Sequence, residues 1–461
     1  MESRHVEHLI IGFGKAGKTL AARIAKEGGH VTLVERDRNM YGGTCINIGC
    51  LPSKSLILDA YAADRHGAEP RQAFAEAMAA KTALTSKLRA ANYRKLDVLD
   101  GVAVLDGTAR FTGAHTVLVD GADGVQTVLE ADRIYIDTGA KPRIPDIEGI
   151  RTTPGVYDST GMLSLPAFPK RVVILGAGFI GLEFASMLAD FGSEVHVLQH
   201  NDRVLPREDA DMAEAILDML KRQGVEVVTD AVVTRVSPGS GDHAGEGASV
   251  RVDAEVNGAA AVFDADAVLV AAGRVPETAD LNLAAAGIET DANGGIVVDD
   301  LLRTTDENVW AMGDCNGGPQ HTYISLDDYR IVWSQIAPDA SEYNRAQRRN
   351  VPSCVFLHVP YARVGLNERD AAEQGIAVQV HTLPTAAVPK AVVMRETEGL
   401  LKALTDPATG QLLGVTLLCP EAHEMINTAK VAMDFHADAA YLRDAIFTHP
   451  TMTEAFNELL A

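Results

Sequence analysis

"HLIIGFGKAGKTLAARIAKEGGHVTLVERD", residues 8–37, reads as a strand, a tight turn, a helix and a second strand. The apolar run Leu9 to Ile11 meets Gly12, Gly14 and Gly17. A helix starts at Lys15 and closes at Gly28-Gly29, and the strand from Val31 ends on Glu35. Glycines at this spacing let the backbone turn sharply and approach a pyrophosphate at the helix N-terminus. An acid about 20 residues further on can accept from ribose hydroxyls. With strand, helix and terminal acid all present, Gly12, Gly14, Gly17 and Glu35 form a dinucleotide-binding fingerprint rather than a glycine turn without a ligand.

The same pattern returns in "KRVVILGAGFIGLEFASMLADFGSEVHVLQH", residues 170–200, with Gly176, Gly178 and Gly181. The chain therefore carries two dinucleotide sites. Where the first repeat ends on Glu35, the second ends on Gln199, each 23 residues after its first glycine. A neutral amide lacks the carboxylate that would repel a 2′-phosphate, so the second site is read either as accepting NADPH as well as NADH or as bonding an NADH ribose through the amide. Two such sites in one chain point to a flavin and a nicotinamide, because hydride transfer is chemistry that side chains do not perform alone.

Directly after the first repeat stands "YGGTCINIGCLPSK", residues 41–54, with Cys45 and Cys50 five apart in a chain of only five cysteines. A metal half-site, a structural disulfide and a redox couple are the candidate readings. Sparse cysteines argue against a secreted disulfide framework. Zinc would want two further Cys or His ligands at suitable spacing, and no second close Cys pair exists, so no resident metal is expected. Their position after the first loop makes that loop the better flavin site. Cys315, Cys354 and Cys419 read as core or strand-end residues.

The 461 residues exceed one ordinary core and predict several domains. At 47% hydrophobic and 23% charged residues the composition is that of a globular protein. The net charge of −22 disfavours nucleic acid and anionic membrane surfaces as partners. No apolar run approaches the ~20 residues of a membrane span, and the N-terminus has no signal-peptide pattern; a cytoplasmic location is expected. The basic cluster Arg345 to Arg349 reads as a solvated face. Residues 53–96 predict helices broken near His66 to Pro70, and 101–137 a small antiparallel sheet. A turn-rich loop is expected at 239–247. The last unit predicts strands near 354–358, 391–394, 401–405 and 412–418, followed by helices.

Taken together, several stretches resemble the pyridine nucleotide-disulfide oxidoreductases, the flavoproteins that include glutathione reductase and dihydrolipoamide dehydrogenase. "GGTCINIGCLPSK" is similar to their redox-disulfide signature, "DTGAKPRIP" (137–145) to a second flavin contact, "AAGRVPE" (271–277) to a GRxPN-like motif, "AMGDC" (311–315) to the flavin-ribityl aspartate motif and "HPTMTE" (449–454) to the C-terminal His-Pro…Glu motif. Lys15, "YDSTG", "LPRED" and "TYISLDDYRIV" resemble the RclA-type branch, associated with resistance to reactive chlorine species.

The resemblance implies an α/β fold: FAD-binding (1–160) and NAD(P)-binding (161–280) Rossmann-like domains, a central domain (281–345) completing the FAD site, and an α+β dimerisation domain (350–461). It implies a Cys45–Cys50 redox disulfide, with Cys50 toward the flavin and Cys45 toward substrate. His449 and Glu454 are implied as the acid–base dyad, supplied in trans in a homodimer. FAD and NAD(P)H contacts are implied at Gly43, Thr44, Lys54, Thr138, Gly139, Gly273 and Asp314, besides the two glycine loops, Glu35 and Gln199. The implied activity is NAD(P)H-dependent reduction of a small oxidant, such as hypothiocyanous acid or Cu(II); the alternative is a lipoamide or low-molecular-weight disulfide reductase.

Overall fold

The computed structural model describes residues 2–239, 249–337 and 340–461; the loop expected at 239–247 lies almost wholly outside them. The chain divides into two compact units, Met1–Ser55 with Met78–Arg143 and Gly273–Arg348, and Leu56–Ala77 with Ile144–Ala272 and Arg349–Ala461.

In the first unit the strand Glu2–Ile11 pairs in parallel with Val31–Glu35 on one side and Gln126–Ile136 on the other. Val102–Gly113 and Val309–Ala311 extend the sheet outward in parallel. Side chains alternate faces along a strand, and the two cores follow that parity. Leu9 and Ile11 pack with Ile134 and Ile136 on one face, whereas Ile10 joins Leu20, Ile24, Leu33 and Tyr135 on the other. The helices Cys50–His66 and Pro70–Asp97 match the predicted pair and its break.

The antiparallel sheet expected at 101–137 is present, and it is continuous with this one. Val102–Gly113, Thr116–Gly121 and Gln126–Ile136 form an antiparallel meander, but the outer two strands are 12 and 11 residues long. Val102–Gly113 joins the parallel ladder over 102–106 and the meander over 107–113, whereas Gln126–Ile136 holds Glu2–Ile11 along one edge and Thr116–Gly121 along part of the other.

In the second unit, parallel strands lie in the order Val225–Val228, Glu194–Leu198, Arg171–Leu175, Ala267–Val270, Val156–Tyr157. Gly176 turns at φ 109° into the helix Phe179–Asp190, matching Gly12 at φ 106° before Lys15–Lys26. This unit also holds a five-stranded antiparallel sheet built from Ser353–Val355, Tyr361–Gly365, Leu412–Leu418, Leu400–Thr405 and Gln379–Pro384. The expected strand at 391–394 is helical, Pro389–Met394, because Pro389 at the first helical position presets the helical φ and lacks a ladder donor. Two strands, Tyr361–Gly365 and Gln379–Pro384, went unread in the sequence.

Among its described residues the second unit encloses a buried cation. Lys402, 1% exposed, holds Asp209 at 3.2 Å, Asp211 at 2.6 Å and Glu368 at 2.5 Å. Burial alone would lower this ammonium; the bonds to Asp211 and Glu368 hold it above its usual value. Lys402→Met is expected to cost roughly 3–5 kcal/mol, the scale of removing one partner from a buried pair, because Asp209 stays buried and uncompensated. Urea unfolding checks it: a midpoint unchanged from wild type would mean the carboxylates find other partners.

Candidate active site

Cys45 sits in the short helix Thr44–Asn47, and Cys50 opens the helix Cys50–His66. In this structure both are free thiols, and Cys45 hydrogen-bonds the sulfur of Cys50. That bond favours Cys50 as thiolate and holds the proton on Cys45. Cys50, whose side chain reaches solvent, is lowered to about 6, first by the Cys45 bond, then against partial desolvation by Thr322 and by the charge of Lys54. Its place at a helix N-terminus acts in the same direction. The same bond, together with burial, raises Cys45.

Thr322, whose Oγ1 lies 3.4 Å from Cys50 Sγ, is a site residue the sequence reading missed. It opens the helix Thr322–Ile336, and one face of that helix reaches three parts of the site at i, i+3 and i+6. Thr322 meets the thiols. Ser325 Oγ accepts from the Ala16 N–H in the first glycine loop at 3.1 Å. Asp328 accepts from the Gly313 N–H at 2.7 Å, at the turn that carries Asp314. Arg348 clamps Asp327 at 2.7 Å and Asp328 at 2.5 Å with 11% of its side chain exposed. Arg348 is therefore a mostly covered ion-pair partner rather than the solvated residue expected from the Arg345 to Arg349 cluster.

Glu35 and Gln199, the two strand-end residues, fold back in the same way. Glu35 Oε2 accepts from the Phe13 N–H at 2.9 Å and Gln199 Oε1 from the Ala177 N–H at 3.0 Å, so each closes the loop behind its first glycine. The loops differ in one respect. Asp137, fully buried after the strand Gln126–Ile136, accepts from the Gly17 N–H at 2.7 Å, and burial pushes its carboxyl well above the usual carboxylate range. The second repeat has Ala271 at this place, against its own first glycine.

The residues fit a flavin. Thr138 Oγ1, next to Asp137, is buried with no protein partner, and a polar ligand atom would satisfy it. Gly43 lies against Gly14, so close that a side-chain carbon at Gly43 would sit 2.9 Å from the Gly14 Cα. Gly43 and Thr44 thus adjoin the first glycine loop. Asp314 is raised by burial against the opposing charge of Arg274. Lys54 lies one turn into the helix that Cys50 opens.

His449 and Glu454 meet in the second unit. Nδ1 of His449 lies 2.8 Å from Glu454 Oε2, and the Thr451 N–H donates to Glu454 Oε1 at 3.1 Å. The His449 bond holds the Glu454 carboxyl below its usual value. An ionised carboxylate only accepts, so Nδ1 carries the proton of this contact, and Nε2 is the acceptor of the neutral ring. Cys315 and Cys419 are buried, and burial raises both thiols; Cys315 donates to the Met312 carbonyl at 3.2 Å. Among the described residues no helix is long and apolar enough to cross a membrane.

The family model described as "Pyridine nucleotide-disulphide oxidoreductase" matches residues 6–328, and that family's dimerisation domain matches 351–460. The "probable pyridine nucleotide-disulfide oxidoreductase RclA" of Escherichia coli K12 is 45% identical over 453 residues, 98% of each chain. Mercuric reductase of Lysinibacillus sphaericus is 34% identical over 97% of this chain and 80% of its own. A solved structure, the Cu(II) complex of the HOCl-induced flavoprotein disulfide reductase RclA from E. coli, superposes with a TM-score of 0.92 over 99% of each chain at 45% identity. Glycine loops, thiol pair and dimerisation domain thus place the chain in the pyridine nucleotide-disulfide oxidoreductase family, as an enzyme that uses FAD and NAD(P)H.

Proposed function

We propose that the enzyme passes two electrons from NAD(P)H through a Cys45–Cys50 disulfide to a small oxidant, hypothiocyanous acid or Cu(II), in cytoplasmic defence against reactive chlorine. The observation that carries this reading is the pair of free thiols set directly after the first glycine loop, with Thr322 Oγ1 3.4 Å from Cys50 Sγ; each thiol shifts the other, in the direction that favours the Cys50 thiolate. Likeness to a protein described as HOCl-induced, solved with Cu(II), supports the choice of oxidant.

We read residues 1–160 and 281–345 as holding FAD and 161–280 as holding the nicotinamide. Gly12, Gly14, Gly17, Glu35, Gly43, Thr44, Lys54, Thr138, Gly139 and Asp314 would contact FAD. Gly176, Gly178, Gly181, Gln199 and Gly273 would contact NAD(P)H, and Gln199 presents no carboxylate to repel a 2′-phosphate. Bound there, FAD would supply the two-electron chemistry that links the nicotinamide hydride to the disulfide, which side chains do not perform alone.

The protein's own steps follow from the thiols. Cys45 must lose its proton to attack, and Nε2 of His449, with Glu454 on Nδ1, is suited to take it. We assign this dyad to the partner subunit of a homodimer. The Cys45 thiolate attacks the sulfur of hypothiocyanous acid, forming Cys45–S–SCN and releasing hydroxide. The Cys50 thiolate then attacks the Cys45 sulfur, expels thiocyanate and restores the disulfide, so that the thiols are oxidised and the substrate is reduced by two electrons. With Cu(II), two ions each take one electron, and thiolates suit the Cu(I) formed.

Steady-state rates with hypothiocyanous acid, Cu(II), lipoamide and glutathione disulfide, each with NADH and NADPH, test the reading. The expected result is the largest kcat/KM with one of the first two. A lipoamide or glutathione disulfide rate greater by orders of magnitude would overturn it.

A further inference from the structure

The two nucleotide loops of this chain serve as controls for one another. The position after the third glycine is Lys18 in the first loop and Leu182 in the second. Leu182 is fully buried in its helix–sheet packing, as an amphipathic helix of this fold requires. The fold therefore has no need of a lysine at this place, and desolvating an ammonium is costly unless something uses it.

Lys18 is partly buried and points at the thiol loop. Its Nζ donates to the Gly42 carbonyl at 2.9 Å and to Asn92 Oδ1 at 2.8 Å, and Asn92 is itself anchored by donating to the Leu88 carbonyl at 2.8 Å. Gly42 precedes Gly43, Thr44 and Cys45. Gly42 turns at φ 100° with Asn92 and Ile46 close around it. One ammonium thus ties the first turn of the glycine-loop helix, the helix Pro70–Asp97 and the turn that delivers Cys45. The titratable groups facing Lys18 are Lys15 on its own helix, Lys95 on the helix Pro70–Asp97, Asp137 after its strand, and Cys45. Burial first, then Lys15, lowers Lys18 to about 8; Cys45 and Asp137 oppose that shift, and Lys18 in turn lowers Cys45. Lys54 stands in the same relation to Cys50.

We propose that Lys18 is a positioning residue for Cys45: it latches the Gly42-Gly43 turn and supplies the positive charge that favours Cys45 as the attacking thiolate. The inference rests on the reading of Cys45 as the thiol that meets the oxidant.

The test uses the FAD-loaded Cys50→Ser protein, in which Cys45 is the remaining thiol of the pair, and follows the rate of iodoacetamide alkylation of Cys45 against pH by mass spectrometry. Adding Lys18→Leu, the residue of the second loop, is expected to slow alkylation at pH 7 about tenfold and to move the profile to higher pH by about one unit, the scale of one nearby charge. Lys18→Gln keeps a donor for Gly42 and removes the charge; it is expected to shift the profile in the same direction and serves if the leucine variant loses FAD or stability. Lys18→Arg is expected to restore the faster rate. Unchanged profiles in the folded Lys18 variants would overturn the proposal. The readout needs neither turnover nor the substrate: persistent turnover in Cys50→Ser alone would instead count against the relay of the preceding section.

Discussion

Cys50→Ser is expected to lower turnover with any oxidant by at least about a thousandfold, the scale of losing one member of a catalytic unit. The physical reason lies in what the hydroxyl cannot do. Cys50 is the thiol favoured as thiolate, lowered by the Cys45 hydrogen bond, Thr322 and Lys54. A serine at this place neither ionises near neutral pH nor closes a disulfide. Cys45→Ser is expected to fall to the same level, because the relay needs both sulfurs. The two differ in what remains: Cys45→Ser keeps the Cys50 thiolate without the bond from the Cys45 S–H. Steady-state rates with NADPH, alongside FAD content to show intact binding, check both. A single variant that keeps a tenth of wild-type turnover would exclude the pair as the relay.

The second large effect is expected at His449. His449→Gln removes the acceptor nitrogen that the Glu454 contact turns outward, and should lower oxidant turnover about a hundredfold, the usual scale for a positioned general base. Rapid-mixing reduction of the oxidised enzyme by NADPH should be unaffected, because in the proposed relay the dyad acts on the thiol that meets the oxidant. Glu454→Gln should lose less, since the amide oxygen still accepts from Nδ1–H. Equal slowing of both half-reactions in His449→Gln would point to a structural role for this residue.

What could be read in the sequence was what short spacing encodes. The glycine loops, their terminal Glu35 and Gln199, the Cys45/Cys50 pair and the His449/Glu454 pair each lie within one local stretch, where backbone geometry ties spacing to position. Thr322 and Ser325 were not legible as site residues, although their segment had been singled out. Their partners lie 272 and 309 residues away in sequence, and only the packed helix shows which face they share. Arg348 failed for the same reason: a basic run looks solvated until Asp327 and Asp328 are folded beneath it. Lys18 and Asp137 are informative only by contrast with the second loop, where Leu182 and Ala271 take their places. In the C-terminal sheet the misreading was local, with valines near 391–394 outweighed by Pro389.

The relay is tested most directly by anaerobic titration of the FAD-loaded enzyme with NADPH. The expected course is uptake of more than one two-electron equivalent, with a long-wavelength absorbance from the Cys50 thiolate beside the bound flavin after the first. That absorbance should be present at neutral pH and fade as pH falls through about 6, because a thiol lowered in the folded protein is protonated below that value. Bleaching of the flavin by a single equivalent, with no such absorbance at any pH, would contradict the account.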